Sequence, residues 1–137
     1  MKPITTITAL AAIVLALAAC QAGKKAANPA SGSGKSASLR TMEQVAIAAH
    51  KCWIASKDPD FVSYIMANEL NSFSGTPRFL LVPKKNYGGK PLLVVQARGN
   101  SSSVEVFGPL IGEALGARIG ADIDRWKSGD NSCGAAA

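Results

Sequence analysis

The sequence predicts a small α+β domain, in which an N-terminal helix, a three- to four-stranded antiparallel sheet and a C-terminal helix follow one another. Apolar residues recur at helical spacing over residues 42–56 and again over residues 109–127. Short apolar runs separated by turn residues lie between these two segments, as is typical of strands. Both helices can then cover one face of the sheet. We expect a single domain over residues 39–133 and a short disordered tail over residues 134–137.

The first helix is predicted to begin with a capping box. Thr41 is the expected N-cap, and Gln44 is expected to reach back to it three residues later. The helix then extends over residues 42–56, until Asp58-Pro59 ends it. Its expected buried face consists of Met42, Val45, Ala46, Ala49, Cys52 and Trp53.

The middle of the chain is predicted to form the sheet. Residues 61–70 fit either a strand or an irregular helix, whereas residues 78–82 and 92–97 are short apolar runs. The polar, glycine-containing segment 84–90 between those two runs is a good hairpin connection. Residues 104–107 form the last strand, and prolines bracket the runs without interrupting them, as strands require.

The second helix is predicted from Pro109, a residue that the first helical turn tolerates, to about Lys127. Its expected buried stripe consists of Ile111, Leu115, Ile119, Ile123 and Trp126. Gly112, Gly116 and Gly120 are spaced four apart and would form a smooth ridge beside this stripe. The ridge predicts tight packing on the sheet or the first helix, or alternatively the seam of a homodimer.

The N-terminal segment is predicted to be an export signal. Residues 1–19 combine an early lysine, an apolar stretch and small residues, and the stretch is short for a bilayer span. It ends in Leu17-Ala18-Ala19-Cys20, which resembles the lipobox of bacterial lipoproteins. The resemblance implies cleavage before Cys20 and membrane attachment through lipid on that cysteine. An ordinary cleaved signal and an uncleaved membrane anchor are the two other interpretations of the stretch.

The lipobox also implies a location. Residues 20–38 would comprise the lipidated cysteine and a flexible tether, because they contain no large apolar side chain to bury. The domain would face the periplasm of a bacterial envelope. Gln21 resembles an outer-membrane address, since the enterobacterial pattern uses aspartate at this position for retention in the inner membrane.

The two cysteines that remain, Cys52 and Cys133, are predicted to form a disulfide. Two leftover cysteines in an oxidising compartment usually pair. The bridge would tie the first helix to the C-terminal tail. No Cys-x-x-Cys motif indicates a redox-active site, and with one histidine in the chain we expect no metal and no cofactor.

The charge of the chain is modestly positive, with 15 basic and 9 acidic residues and a net charge of +6. This excess is compatible with anionic partners, and no block of like charge predicts a nucleic-acid arm. The sharpest basic cluster surrounds the hairpin tip, where Lys84, Lys85 and Lys90 flank Tyr87. It predicts either a merely solvated tip or a contact with an anionic surface, with Tyr87 as amphipathic anchor.

No catalytic constellation is predicted. His50 has no neighbouring partner in sequence that would make it a general base, and a half-buried structural role is expected. The preferred hypothesis is a non-enzymatic envelope lipoprotein that binds or supports an envelope protein or glycan. A small envelope enzyme or enzyme accessory is the first alternative, and a subunit of an export or surface apparatus is the second. A cleft that gathers His50 with a carboxylate would favour the enzyme.

Overall fold

A computed structural model of the chain describes residues 34–134. The predicted signal peptide, Cys20, Gln21 and most of the predicted tether lie outside the described residues, as do residues 135–137. Apart from Gly34, the described residues belong to one compact unit, Lys35–Ala137. This unit begins a few residues before the domain boundary expected at residue 39.

The first helix, α1, spans Ala37–Ala49 and continues directly as a π-helix over His50–Ala55. The predicted capping box is wrong, because Thr41 lies within α1 and Ser36 is the N-cap. The hydroxyl oxygen of Ser36 accepts a hydrogen bond from the backbone N–H of Leu39 at 3.2 Å, which satisfies one of the first free amides of the helix.

Tertiary contacts explain why the helix starts earlier than the sequence predicts. Ser38 is fully buried, and its hydroxyl donates to the carbonyl oxygen of Gly99. The backbone N–H of Ala37 donates to the side chain of Asn100 at 3.0 Å. Gln44, the other expected capping residue, donates its amide to the carbonyl oxygen of Trp126 instead. The turn between the last two strands therefore stabilises the first turn of α1.

The sheet has four antiparallel strands in the order of the chain. They are β1 (Tyr64–Glu69), β2 (Arg78–Pro83), β3 (Leu93–Ala97) and β4 (Val104–Phe107). The predicted α+β class is confirmed, and the ambiguous segment 61–70 contains a strand. Each strand pairs with the next along the chain, so the sheet is a simple meander.

The core lies between one face of the sheet and the helices. Residues directly opposite in paired strands share a face, and Leu81 lies opposite both Met66 and Leu93 on the inner face. α1 packs against β3 and β4. The largest fully buried side chains are Trp53, Trp126, Phe61, Phe79, Met42, Leu81 and Leu93. Because all core residues lie within Lys35–Ala137, we expect this unit to fold by itself.

The predicted single helix from Pro109 is wrong. Residues Pro109–Gly112 form a short 3₁₀ helix, and the second α-helix, α2, spans Gly116–Lys127 and packs against α1. Leu110 is buried in place of Ile111, which is 38 % exposed. The cause is a backbone hydrogen bond to the residue just before β3. The N–H of Leu110 donates to the carbonyl oxygen of Leu92 at 3.1 Å.

Candidate functional site

A disulfide between Cys52 and Cys133 closes the domain, and this prediction is confirmed. The bond joins the π-helix to the C-terminal tail across 81 residues of sequence. Two hydrogen bonds hold the same tail on α2. The carbonyl oxygen of Ser132 accepts from the indole N–H of Trp126 at 2.9 Å and from Arg125 Nε at 3.1 Å. The tail is therefore part of the folded domain up to the bridge.

A charged cluster at Arg118 lies beside the aromatic core. The Arg118 guanidinium donates to the carboxylates of Asp58 and Asp60, at 2.7 Å for Asp60. Asp58 and Asp122 are buried, and Asp122 accepts from the indole N–H of Trp53 at 2.8 Å. Hydrogen bonds from Arg118 hold the pKa of the Asp58 carboxyl below its ordinary value, and the same bonds raise the pKa of Arg118.

This charged cluster has a structural role. Arg118 on α2 reaches the loop that follows the π-helix, so its ion pairs fix one element to the other. The buried carboxylates of Asp58 and Asp122 already accept hydrogen bonds from Arg118 and Trp53, so they are poorly placed to take a proton from a substrate. The sequence did not reveal the cluster, because Arg118 lies about 60 residues from Asp58 and Asp60 and the three follow no motif.

Replacing Arg118 with methionine is expected to lower the free energy of unfolding by about 2 kcal/mol at neutral pH, because hydrogen bonds to buried charged groups are lost. The lowered pKa of Asp58 gives a pH signature. The contribution of Asp58 is complete above its unfolded pKa, which is about 3.9, and is lost as the pH falls through the lower folded pKa. When urea unfolding is measured between pH 2 and pH 7, the free energy of unfolding should fall less steeply toward acid pH for Arg118→Met than for the wild type. We call this acid part of the pH dependence the acid limb.

Lys127→Met is the matched control, because it removes a cation from the same helix. Lys127 pairs with Asp124 at 2.6 Å in an exposed position, and such pairs contribute about 0–1 kcal/mol. Equal losses for the two variants, or an unchanged acid limb in Arg118→Met, would show that the cluster does not join the two elements.

An apolar groove with a lysine rim lies beside β1. It comprises two adjoining cavities of about 290 Å³ and about 390 Å³, which share Val62, Tyr64 and Lys84. The apolar lining is Trp53, Ile54, Phe61, Val62, Tyr64, Ile65 and Pro83. The rim carries Lys57, Lys84 and Lys85. We call this feature the lysine groove.

The lysine groove contains part of the predicted anionic contact. Lys84 and Lys85 lie on its rim, whereas Tyr87 and Lys90 are exposed on the hairpin and line neither cavity. Tyr87 is 65 % exposed. Lys57 joins the rim from the end of the π-helix, and no sequence pattern predicts this. Lys57 and Lys84 are far apart in the chain. They line the same groove only because β1 lies against the π-helix in the folded domain.

The predicted glycine ridge is not a feature of one helix. Gly112 lies in the 3₁₀ helix, and Gly116 and Gly120 lie in α2. A Cβ atom at Gly112 or Gly120 would have no neighbour within 4 Å, so neither glycine is required by close packing. A Cβ atom at Gly116 would lie 2.0 Å from the carbonyl oxygen of Ile111. Gly116 alone therefore permits a close approach, and the approach is to its own chain.

The expectation of a half-buried His50 is wrong, because His50 is exposed at the start of the π-helix. Within residues 34–134 it forms no ion pair with a carboxylate, and no cleft gathers the two groups. The described residues also contain no group of three or more His, Cys, Asp or Glu side chains that could hold a metal ion. In this part of the chain no helix has the length and apolar character needed to cross a membrane.

No known protein family, curated protein or solved structure matches this chain.

The outer face of the sheet is a second surface with apolar character. Ile65, Leu80 and Val94 point away from the core on this face, and Phe107 at its edge is 47 % exposed. No helix within residues 34–134 packs on it. Its charged residues pair with one another, as Arg78 Nη2 does with Glu69 at 2.6 Å. This face is therefore apolar at its centre and nearly neutral at its rim.

Proposed function

We propose that this chain is a lipid-anchored envelope protein whose folded domain is a non-enzymatic binding module. Lipid on Cys20 holds the protein at the membrane, and the domain faces the periplasm. The lysine groove is the observation that carries the proposal, because concave apolar sites with a few charged groups are typical of binding sites. The Cys52–Cys133 disulfide supports the oxidising compartment that this location requires.

The enzymatic alternative receives no support from His50. Its exposed position, without an ion-paired carboxylate among the described residues, lacks the partner that a general base needs. The carboxylates near the aromatic core are bonded to Arg118 and Trp53 and stabilise the fold. We therefore assign the function to binding.

The anchor is tested by metabolic labelling of bacterial cells with an alkyne-tagged fatty acid, followed by fractionation of the envelope. The intact protein should take up label and stay with the membrane through washes at high salt, because two or more acyl chains anchor a protein firmly. Cys20→Ser should take up no label. Cys52→Ser is the matched control and should be labelled normally. A protein that stays unlabelled and leaves the membrane on washing would exclude the lipoprotein proposal.

A second candidate function, a subunit of an export or surface apparatus, is favoured by the outer face of the sheet. Exposed apolar patches mark protein interfaces. The charges at the rim are paired internally, so the expected occupant is an apolar surface of a neighbouring envelope protein. Photo-crosslinking from position 107 in intact cells should then capture one defined partner. Crosslinking to many unrelated proteins would count against this function.

A further inference from the structure

We propose that the lysine groove binds a single anionic lipid, with the apolar part in the groove and the head group against Lys57, Lys84 and Lys85. The inference rests on the proposed binding function and deepens it by naming the class of ligand. It uses features of the folded domain alone, so it does not depend on lipid attachment at Cys20.

The floor of the lysine groove is aromatic and rigid. Phe61 stacks on Trp53 with ring centroids 4.6 Å apart, and Tyr64 meets the edge of Phe61 at 6.5 Å. Trp53 and Phe61 are fully buried, so they support the groove from the core, and the partly exposed Ile54, Val62 and Tyr64 give it its accessible apolar surface. Each cavity is of a size found at the small end of ligand sites, which occupy about 300–1,000 Å³. A hydrocarbon chain can therefore exchange water for an apolar surface that is already formed.

The rim of the lysine groove is cationic. No acidic side chain from residues 34–134 lines either cavity, and Lys57 and Lys85 form no salt bridge within the same residues. Lys84 Nζ donates to the carbonyl oxygen of Val62 at 2.9 Å, which places the ammonium group at the groove. An ammonium group has three donors, so two remain for an anionic oxygen.

Lys57 is held in a backbone conformation that favours glycine. Its φ is 57°, and it is the one residue other than glycine with positive φ in the described part of the chain. This position directly follows the capping residue of the π-helix, Ser56, where glycine is the common choice because it has no Cβ. Lysine is therefore less favourable than glycine for folding here, and a role for its charge explains the choice.

A lipid fits the lysine groove better than an extended acidic peptide does. A peptide that adds to a sheet edge needs free backbone groups on the edge strand. At the groove end of β1 the first outward N–H is already used, because Tyr64 donates to the carbonyl oxygen of Phe61 at 3.0 Å. The groove therefore offers side chains, more than backbone groups, for recognition.

The test is calorimetric titration of the unit Lys35–Ala137 with dodecyl phosphate below its micelle concentration. We expect one molecule to bind. Inorganic phosphate, which has no chain, and dodecyl maltoside, which has no charge, should each bind at least about tenfold more weakly, since several lysines and the apolar floor both contribute. Equal binding of the maltoside would mean simple adhesion to an apolar surface and would overturn the proposal.

Lys57→Gly is the decisive variant, because it removes the charge and relieves the backbone at the same time. It should weaken dodecyl phosphate about fivefold, the effect of one lysine near an anionic head group, with no loss of thermal stability. Val62→Asp, at a residue that is 47 % exposed, should abolish binding by placing a carboxylate in the groove. Lys127→Ser is the control for net charge and should bind as the wild type does.

Three further outcomes would overturn the lipid assignment. Equal weakening by Lys57→Gly and Lys127→Ser would show that net charge attracts the ligand. Binding of an acidic heptapeptide, but not of dodecyl phosphate, would assign the groove to a protein partner. If the domain binds no amphiphile while Cys20 is still labelled in cells, this inference fails and the proposed anchor stands.

Discussion

Loss of the Cys52–Cys133 disulfide is expected to lower the free energy of unfolding by about 3–4 kcal/mol, the largest effect of any single change we predict. The bridge spans 81 residues. In the chain-entropy account, a closed loop of this length restricts the unfolded chain by up to about 4.5 kcal/mol. The folded domain should change little, since Ser132 is also held by Arg125 and Trp126.

The measurement is urea unfolding of the unit Lys35–Ala137 with and without reductant. Cys133→Ser is the suitable variant, because Cys133 is exposed and serine fits without repacking the core. Reductant should lower the free energy of unfolding of the wild type to that of Cys133→Ser. It should leave the free energy of unfolding of the variant unchanged. A wild type that is insensitive to reductant while its thiols become free would disprove the stabilising role.

Replacing Gly116 with alanine is expected to lower the free energy of unfolding by about 3 kcal/mol, the upper end of the range for overpacking. The new Cβ would lie 2.0 Å from the carbonyl oxygen and 2.7 Å from the carbonyl carbon of Ile111. Both atoms belong to the backbone of the 3₁₀ helix, which the short link of residues 113–115 joins to α2. They cannot rotate away as a side chain can, so the whole link would have to move.

Gly120→Ala is the matched control in the same helix. A Cβ atom there has no neighbour within 4 Å, so the change should raise stability by up to about 1 kcal/mol through helix propensity alone. Relative to the wild type, the melting temperature should therefore fall for Gly116→Ala and rise for Gly120→Ala. Equal stability of Gly116→Ala and Gly120→Ala would contradict the close approach at Ile111.

Gly116 also bears on the two interpretations of the glycine spacing. The regular interval of four suggested one packing ridge, or a dimer seam, along a continuous helix. The chain instead turns between Gly112 and Gly116, and only Gly116 lies against other atoms. A homodimer through Gly120 remains a prediction, and the oligomeric state of Gly120→Leu by light scattering would test it.

The Arg118 cluster and the lysine groove share one aromatic residue. Arg118 lies over the ring of Phe61, 5.2 Å from its centroid, while Phe61 also lines the groove. The ion pairs with Asp58 and Asp60 therefore support the floor of the proposed binding site. We expect the pairs to act on binding only through stability, since neither aspartate lines the groove.

The sequence by itself determined the fold class and most of its elements. Short apolar runs bounded by turn residues identify strands locally, and β2, β3 and β4 follow this rule. The disulfide followed from counting cysteines once Cys20 was assigned to lipid. Residues 17–20, which resemble a lipobox, predict a location in the same local way, because such a signal is a short linear motif.

Tertiary structure decided the features that depend on distant partners. Ser36 displaced Thr41 as the N-cap because residues near Gly99 hold the first turn of α1. The continuous helix expected from Pro109 does not form, because the N–H of Leu110 donates to the carbonyl oxygen of Leu92 beside the sheet. The lysine groove exists because folding brings Lys57 to Lys84, and contacts between residues so far apart in the chain leave no periodic pattern in a sequence.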